Sequence, residues 1–322
     1  MFFFNYDFKQ NLLKLYLIFY YIIKMDVNIV NQTKKGTSGS TKVPLNHNDK
    51  IKDIISFIQS KLKISIETNR IGLYFTNNKG KKIYLTNKDK TLSSYNFDES
   101  NDIIVKDFGT QVDWRFVYIV EYFGPLIIFP LFFFFNLTSS NLTQKFALLM
   151  GLVHFGKRIY ESICVHKFSR ETMPIKNLYI NIVYYWLLFG VSCGYGLFND
   201  GYKESSHLGA LRYLIAVLFF YFEFKNYNCH MIQKIAKEES NGEYKILPNK
   251  EGFQYVSCAN YFWEFLSWLM FSLFTNSINF YVFTFVGLYV MIKWALEKHS
   301  NFKSLFGDRY PKERKAIIPF VI

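Results

Sequence analysis

The chain has 322 residues, is 50% hydrophobic and 20% aromatic, and carries a formal net charge of +13. Its basic residues lie mainly in loops between apolar runs, as in cytoplasmic membrane loops, so we expect no nucleic-acid partner. The cysteines lack a CxxC or other metal-binding spacing, which argues against a disulfide framework and a zinc site, and no metal is predicted. They are Cys164, Cys193, Cys229 and Cys258.

The first segment, residues 1–24, contains the apolar run "LLKLYLIFYYII", which Lys14 interrupts. The run is short for a membrane span, so it fits a signal-anchor or an interfacial helix. It equally fits an extension upstream of a start at Met25. We therefore predict an N-terminal apolar extension or a loosely attached interfacial helix.

Residues 25–107 have the pattern of a soluble α+β domain. "VNIV" and "TKVPLN" alternate like strands, and "IGLYF", "KKIYL" and "DIIVKDF" are further strands. Between them, "DKIKDIISFIQSKLK" predicts an amphipathic helix. Its apolar face would carry Ile51, Ile54, Ile55, Ile58 and Leu62. The order ββαβββ resembles a ubiquitin-like β-grasp domain.

Residues 108–322 contain apolar runs of about 17–25 residues, the length that crosses a bilayer core. The predicted spans are 115–135, 146–165, 179–198, 209–225, 256–275 and 279–296. Lysine-rich loops alternate with uncharged ones, which predicts that both ends of the six-span unit face the cytosol. The predicted fold class is a multi-pass α-helical membrane bundle with about six transmembrane helices and an N-terminal ubiquitin-like β-grasp domain.

Ionisable residues inside a span normally face a bundle interior or a polar cavity, because exposure to lipid is costly. His154, Arg158 and Glu161 share one face of the second span at i, i+4 and i+7. One interpretation is the wall of a polar cavity that binds an anion. The alternative is a structural Arg158–Glu161 pair at the membrane edge.

The fifth span repeats this pattern. Asn260, Glu264 and Ser267 share a face, and Tyr261 lies beside them. A buried carboxylate such as Glu264 needs donors or a cation, although interhelical hydrogen bonding would explain the same face. Tyr261 is a candidate general acid, or an aromatic packing residue.

The first span contains a single carboxylate, Glu121, which is a functional candidate unless it lies in the water interface. Gln111 precedes the span and would hydrogen-bond into the same mouth, or be a solvated linker residue. On the cytosolic side, a set of polar residues would bind phosphates, or form an ordinary basic loop face. The set is Asn226, His230, Lys234, Tyr244, Lys245, His299, Arg314 and Lys315.

Some motifs are absent from the sequence. There is no GxGxxG and no Walker A loop, so a nucleotide cofactor would bind outside a Rossmann domain. The six histidines are scattered, which argues against a membrane di-iron desaturase.

Five segments together resemble the very-long-chain enoyl-CoA reductase branch of the steroid 5α-reductase family. They are "EYFGPL", "VHFGKRIYESICVHKFSRETMPIKN", "NIVYYW", "VSCANYFWEFLSW" and "YPKERKAIIPFVI". The resemblance extends over nearly all of residues 25–322. It implies an endoplasmic reticulum enzyme that uses NADPH to reduce the trans-2 double bond of long-chain and very-long-chain enoyl-CoA. This reaction is the last step of each fatty-acid elongation cycle, so the lipid bilayer and other elongation enzymes are the implied partners.

The resemblance also implies roles for individual residues. Tyr261 matches the tyrosine of the enoyl-CoA reductase branch, and Gln111 and Glu121 match family polar residues around the first span. Other positions match the cofactor lining of the steroid branch: Asn226, His230, Lys234, Tyr244, Lys245, Asn260, Glu264 and Arg314. His154 and Arg158, which are chosen by their spacing, and His299, from the cytosolic-side set, are assigned to the cofactor site as well.

One departure concerns the proton donor. The family usually has His-Tyr where this chain has His154-Phe155. If that tyrosine donates the proton elsewhere in the family, Tyr261 or Glu121 would do so here.

Three rival functions remain. One is a steroid or polyprenol reductase of the same superfamily. The second is an isoprenylcysteine-type methyltransferase, since "LFGDRYPKERKAIIP" also looks like the C-terminal signature of those enzymes. The third is a non-catalytic membrane scaffold.

Overall fold

The computed structural model describes residues 25–33, 39–78, 80, 82–136, 140–167, 172–205, 208–239 and 247–322. The predicted extension at residues 1–24 lies outside these ranges, as do Tyr244 and Lys245. The chain divides into two compact units, Met1–Val112 with Ser169–Ile175, and Asp113–Phe168 with Lys176–Ile322.

The first unit contains a five-stranded sheet and one long helix, in the predicted order ββαβββ. The strands are β1 (Met25–Asn31), β2 (Gly39–Leu45), β3 (Ile71–Thr76), β4 (Lys82–Tyr84) and β5 (Ile103–Asp107), and helix α1 is Ile51–Lys61. The sheet order is β2-β1-β5-β3-β4. The central strands β1 and β5 pair in parallel, while the outer pairs are antiparallel.

Helix α1 packs through its isoleucine face. Ile51, Ile54, Ile55 and Ile58 are buried in one cluster with residues of the strands, and Leu62 packs against its edge. A spacing of three and four residues places these side chains on one side of a helix, so burying that side removes them together from water. The predicted apolar face is confirmed.

A short ribbon follows the sheet. Strand β6 (Gln111–Asp113) pairs with β7 (Thr172–Pro174). At the end of β6, Asp113 caps the next helix, because its side chain accepts a hydrogen bond of 2.8 Å from the Phe116 amide.

The second unit is helical. Its helices are α2 (Trp114–Phe135), α3 (Leu142–Tyr160), α4 (Lys176–Leu197), α5 (Leu211–Glu238), α6 (Ala259–Thr275) and α7 (Ile278–Phe306). Helix α3 continues into a π-helical turn, Glu161–Val165, and much of α4 is π-helical. Each helix overlaps one of the six predicted spans.

Three of the described helices are long and apolar enough to cross a membrane: Trp114–Phe135, Lys176–Leu197 and Ile278–Arg309. Helix α6 has 17 residues, short of a full span, while α3 and α5 carry several charged side chains. Three candidate spans therefore support the predicted membrane character of the chain, and spanning by the other three helices stays a prediction.

The interior of the bundle is aromatic. Phe271 stacks on Phe280 with ring centroids 4.7 Å apart, and Phe189 meets Trp268 edge-on at 5.4 Å. Phe155 is 1% exposed and contacts this same cluster. Aromatic pairs in offset or edge-to-face geometry fill a core without polar atoms. Phe155 therefore acts here as a packing residue.

Gly124 allows α2 and α4 to approach closely. A Cβ at this position would lie 2.1 Å from the Trp186 indole nitrogen, which donates a 3.0 Å hydrogen bond to the Val120 carbonyl. We expect Gly124→Ala to displace the indole and lower the free energy of unfolding by about 1–3 kcal/mol. Thermal unfolding in detergent would measure this.

The matched control is Gly156→Ala on α3, where an added Cβ meets no atom of the described residues within 4 Å. Alanine favours a helix over glycine, so this variant should melt at or above the wild-type temperature. Equal melting of Gly124→Ala and the wild type would contradict the packing explanation.

Candidate active site

Arg158 is the centre of a buried polar cluster at the end of α3. Its Nη1 donates to Glu161 Oε2 at 2.7 Å, and its Nη2 donates to the Tyr122 hydroxyl at 2.9 Å. Glu161 is fully buried and Arg158 is 7% exposed. The Arg158–Glu161 pair therefore forms inside the protein, where each charge compensates the other and loss of either would leave an unpaired buried charge.

His230 of α5 joins this cluster. Arg158 Nη1 lies 3.1 Å from His230 Nε2, and His230 Nδ1 lies 3.2 Å from His166 Nε2. A guanidinium only donates, so Nε2 of His230 accepts and its Nδ1 carries the proton towards His166. Burial, together with the charges of Arg158 and Lys157, lowers the pKa of His230, so this ring is neutral.

A second buried ion cluster lies one turn earlier on α3. Nδ1 of His154 and Nζ of Lys157 each lie 2.9 Å from a different oxygen of Glu223. Glu223 is 3% exposed on α5. Sequence reasoning missed Glu223 and Lys157, although a carboxylate within the apolar run "VLFFYFEF" meets the same criterion that selected Glu121.

Amide side chains connect three helices at this level. Lys157 donates to Asn226 Oδ1 at 2.5 Å, and Asn226 Nδ2 donates to the Asn260 carbonyl at 2.8 Å. Gln233 in turn donates to Asn260 Oδ1 at 3.1 Å. The structure thus brings the predicted residues Asn226 and Asn260 together and links α3, α5 and α6.

Glu121 is 1% exposed on α2, and its Oε2 accepts a 2.5 Å hydrogen bond from Asn181. Glu264 of α6 is partly buried and has no recorded hydrogen bond or ion pair among the described residues. Its charge interacts with those of Glu121 and Arg158. Ionisable groups from α2, α3 and α6 therefore converge, and the alternative interpretation of Glu121 as a water-exposed interfacial residue does not apply.

Tyr261 is partly buried at the start of α6. Its hydroxyl accepts a 2.6 Å hydrogen bond from Lys298 Nζ of α7, and the same ammonium lies 4.5 Å from the centre of its ring. Its ring also faces Trp294, with centroids 6.3 Å apart. The tyrosine selected from the sequence is thus held by a cation that sequence reasoning did not select.

A third polar cluster lies near the C-terminus. His299 Nδ1 is 2.6 Å from Ser257 Oγ and 2.9 Å from the Tyr310 hydroxyl, which also contacts Ser257. Arg314 is 3% exposed, and its Nη2 has a long, 3.5 Å contact with Asn249 Oδ1. The structure therefore places His299 and Arg314 on the same side of the bundle, next to Tyr310.

Two predicted residues make mainly backbone contacts. Lys234 donates to the Cys164 carbonyl at 3.1 Å, at the end of the π-helical turn. Gln111 belongs to the first unit, where its amide donates to the carbonyls of Phe108 and Gly109 at 3.0 and 3.2 Å. Thr172 donates to its oxygen at 3.3 Å.

Glu161, His166 and His230 present three metal-type ligand atoms within 4.8 Å of one another. However, Arg158 already donates to Glu161 and lies 3.1 Å from His230. A guanidinium so near would repel a cation, so this arrangement fits an internal hydrogen-bond network better than a metal site.

The sequence was also compared with known protein families and with individual proteins. The family described as 3-oxo-5-alpha-steroid 4-dehydrogenase matches residues 171–322. The very-long-chain enoyl-CoA reductase of Dictyostelium discoideum is 33% identical over 308 residues, which covers 92% of this chain and all of that protein.

Two animal relatives extend the comparison. The "probable very-long-chain enoyl-CoA reductase" of Caenorhabditis elegans is 32% identical and covers 90% of this chain and 94% of its own length. The mouse protein named "trans-2,3-enoyl-CoA reductase-like" is 27% identical over 67% of this chain and 63% of its own.

An apolar bundle that encloses ion pairs and a partly buried tyrosine defines a membrane protein with an internal polar site. The extended similarity to the reductases is more specific. The chain belongs to the very-long-chain enoyl-CoA reductase family, whose C-terminal region is related to the steroid 5α-reductases. The resemblance drawn from the sequence is confirmed.

Proposed function

We propose that this protein reduces the trans-2 double bond of long-chain and very-long-chain enoyl-CoA with NADPH, as the last step of the fatty-acid elongation cycle. The observation that carries this proposal is the similarity to the Dictyostelium reductase over its whole length. An oxidoreductase of this kind acts on a CH–CH bond. A bundle with an apolar, aromatic interior suits a substrate whose acyl chain is lipid-like.

The residues near the C-terminus fit an anionic cofactor. Arg314 is a buried cation whose Nε lacks a hydrogen-bond partner among the described residues, and burial lowers its pKa. A phosphate would supply the missing acceptor and counter-charge. Nε of Arg158 is also buried, and it too has no partner in the part of the chain that the structure describes. Nε of Arg212 is a third such atom in this unit. We propose that Arg158 and Arg314 are the two that bind the dinucleotide phosphates.

We propose that the following residues bind the cofactor, which would enter from the cytosol. They are His154, Arg158, Asn226, His230, Lys234, Tyr244, Lys245, Asn260, Glu264, His299 and Arg314. When bound, NADPH supplies the hydride for Cβ of the substrate. The protein orients the nicotinamide ring and excludes water from it.

The proton in this proposal comes from Tyr261. Hydride addition at Cβ places negative charge on the thioester oxygen, and a nearby O–H stabilises that charge and then protonates Cα. Tyr261 is partly buried, and its hydroxyl oxygen accepts a hydrogen bond from the Lys298 ammonium, which supports its role as the proton donor. Glu121, in its buried position on α2, is the second proposed donor. Gln111, of the first unit, is proposed from the family resemblance as a further catalytic residue.

Phe155 supports the assignment of proton donation to Tyr261, because it removes another candidate donor. This position, which the family usually fills with tyrosine, is 1% exposed between Tyr185, Phe189 and Trp268. A phenyl ring has no proton to donate, so the position contributes packing, and proton donation belongs to other residues.

The proposal includes location and domains. We place the protein in the endoplasmic reticulum membrane as a multi-pass protein with cytosolic N- and C-terminal domains, where other elongation enzymes are candidate partners. Residues 108–322 would be the catalytic domain. Residues 25–107 would be a ubiquitin-like β-grasp domain, which the parallel pairing of β1 and β5 beside one helix supports.

The test is NADPH oxidation by purified protein with a long-chain trans-2-enoyl-CoA. We expect substrate-dependent oxidation and a saturated acyl-CoA product, and thermal stabilisation by NADPH because a ligand that binds the folded state raises its melting temperature. Stabilisation by S-adenosylmethionine alone would indicate a methyltransferase. Turnover only with a steroid or polyprenol substrate, or no nucleotide binding at all, would support the other rivals.

A further inference from the structure

A lysine on α7 is aimed at the oxygen of Tyr261. Nζ of Lys298 lies 2.6 Å from the Tyr261 hydroxyl and 4.5 Å from the centre of its ring. The Lys298 residue as a whole is exposed. Because Lys298 is exposed, its side chain does not fill the core, and removing it leaves no buried cavity.

The chemistry of the contact fixes its direction. An ammonium has three donors and no acceptor, so the phenol oxygen accepts from Lys298. The Tyr261 proton must then point elsewhere, and no acceptor for it is recorded among the described residues. The geometry therefore leaves this proton available to a bound molecule.

We propose that Lys298 is a positioning residue for proton donation, which orients the Tyr261 hydroxyl and stabilises the phenolate that forms when its proton leaves. This inference rests on the proposed reductase function. The Tyr261 O–H bond breaks as a Cα–H bond forms on the substrate enolate. A proton then passes from the Lys298 ammonium to the phenolate, and water returns a proton to the exposed amine.

Other titratable groups surround this pair and bear on its pH behaviour. They are Tyr118 of α2, His230 and Lys237 of α5, Cys258 at the start of α6 and Glu264 of α6. Burial, together with the charge of Lys298, lowers the pKa of Lys237 to about 8. Lys298 is the group among them that contacts the phenol oxygen directly.

The same helix contains a matched lysine. Lys293 is exposed and lies 4.3 Å from the centre of the Tyr289 ring, but it makes no recorded hydrogen bond to that hydroxyl. Lys293→Met therefore removes a lysine–tyrosine ring contact from α7 without touching the site. Lys298→Arg keeps the charge and the donors, and Lys298→Met removes both.

The experiment measures kcat, KM and the pH profile of NADPH oxidation for the full-length protein with a long-chain trans-2-enoyl-CoA. We expect Lys298→Met to lower kcat by about tenfold or more, the rate equivalent of one charge-assisted hydrogen bond. NADPH affinity and melting temperature should stay near wild type. The basic limb of the kcat profile should move to higher pH, because the phenol loses the cation that favours its ionised form.

Lys298→Arg should restore most of kcat and the wild-type pH limb, while Lys293→Met should leave both unchanged. An unchanged kcat and pH limb in Lys298→Met, with an active wild type, would overturn this inference and leave the reductase function intact. Equal losses in Lys298→Met and Lys298→Arg would also overturn it. An inactive wild-type protein that binds no NADPH would instead overturn the proposed function, and this inference with it.

Discussion

Tyr261→Phe is expected to lower kcat for enoyl-CoA reduction by about 100-fold to 10,000-fold, the usual contribution of a positioned general acid. The phenyl ring keeps its contact with Trp294, so the fold should be preserved and the melting temperature should stay near wild type. NADPH should bind with unchanged affinity, because the proposed role of the lost hydroxyl is towards the substrate and not the cofactor. Initial rates of NADPH oxidation and nucleotide-induced thermal shifts measure the two quantities separately.

Tyr255→Phe is the matched control. Tyr255 is 48% exposed just before α6 and packs against Phe320, so loss of its hydroxyl should not change turnover. Glu121→Gln tests the second donor, since the amide keeps the volume of the carboxyl group but not its acidity. Wild-type rates in both Tyr261→Phe and Glu121→Gln microsomes would show that neither residue donates the proton.

Arg158→Met is expected to have the largest effect on stability, a loss of about 3–5 kcal/mol in the free energy of unfolding. Arg158 bonds to Glu161, Tyr122 and His230 inside the bundle. Its removal leaves the fully buried Glu161 carboxylate beside Lys157 Nζ at 3.7 Å, a distance too long for a hydrogen bond. Thermal or denaturant unfolding in detergent would show the loss.

A double variant separates the ion pair from simple packing. Arg158→Met with Glu161→Leu removes both charges, so much of the lost stability should return, because apolar pairs often replace buried ion pairs at little cost. Arg115→Met, an exposed arginine on α2, should have almost no effect. A double variant no more stable than Arg158→Met would mean that the charge of Glu161 is not the cause.

Local sequence patterns correctly indicate which polar side chains of the helices are buried. His154, Arg158, Glu121 and Asn260 were selected because polar groups in apolar runs face a protein interior, and all four are buried. Gln111 was selected by its position before the first span. Its side-chain amide instead donates hydrogen bonds to nearby backbone carbonyls, a local contact that hydropathy does not indicate.

The partners of these buried groups come from far along the chain. His154 and Glu223 are 69 residues apart, and Tyr261 and Lys298 are 37 residues apart. A local pattern identifies the face of one helix, but the crossing of two helices decides which side chains meet. Glu223 and Lys298 were therefore not selected, although each contacts a residue that was.

The sequence by itself determined the helix of isoleucines in the first unit, the apolar helices and the family, because each depends on local spacing or on residue identity along the chain. Tertiary structure alone decided that Phe155 lies in an aromatic cluster and that Lys298 reaches the oxygen of Tyr261. The physical reason is that α6 and α7 pack side by side. Only that packing brings a cation from one helix to the hydroxyl of the other.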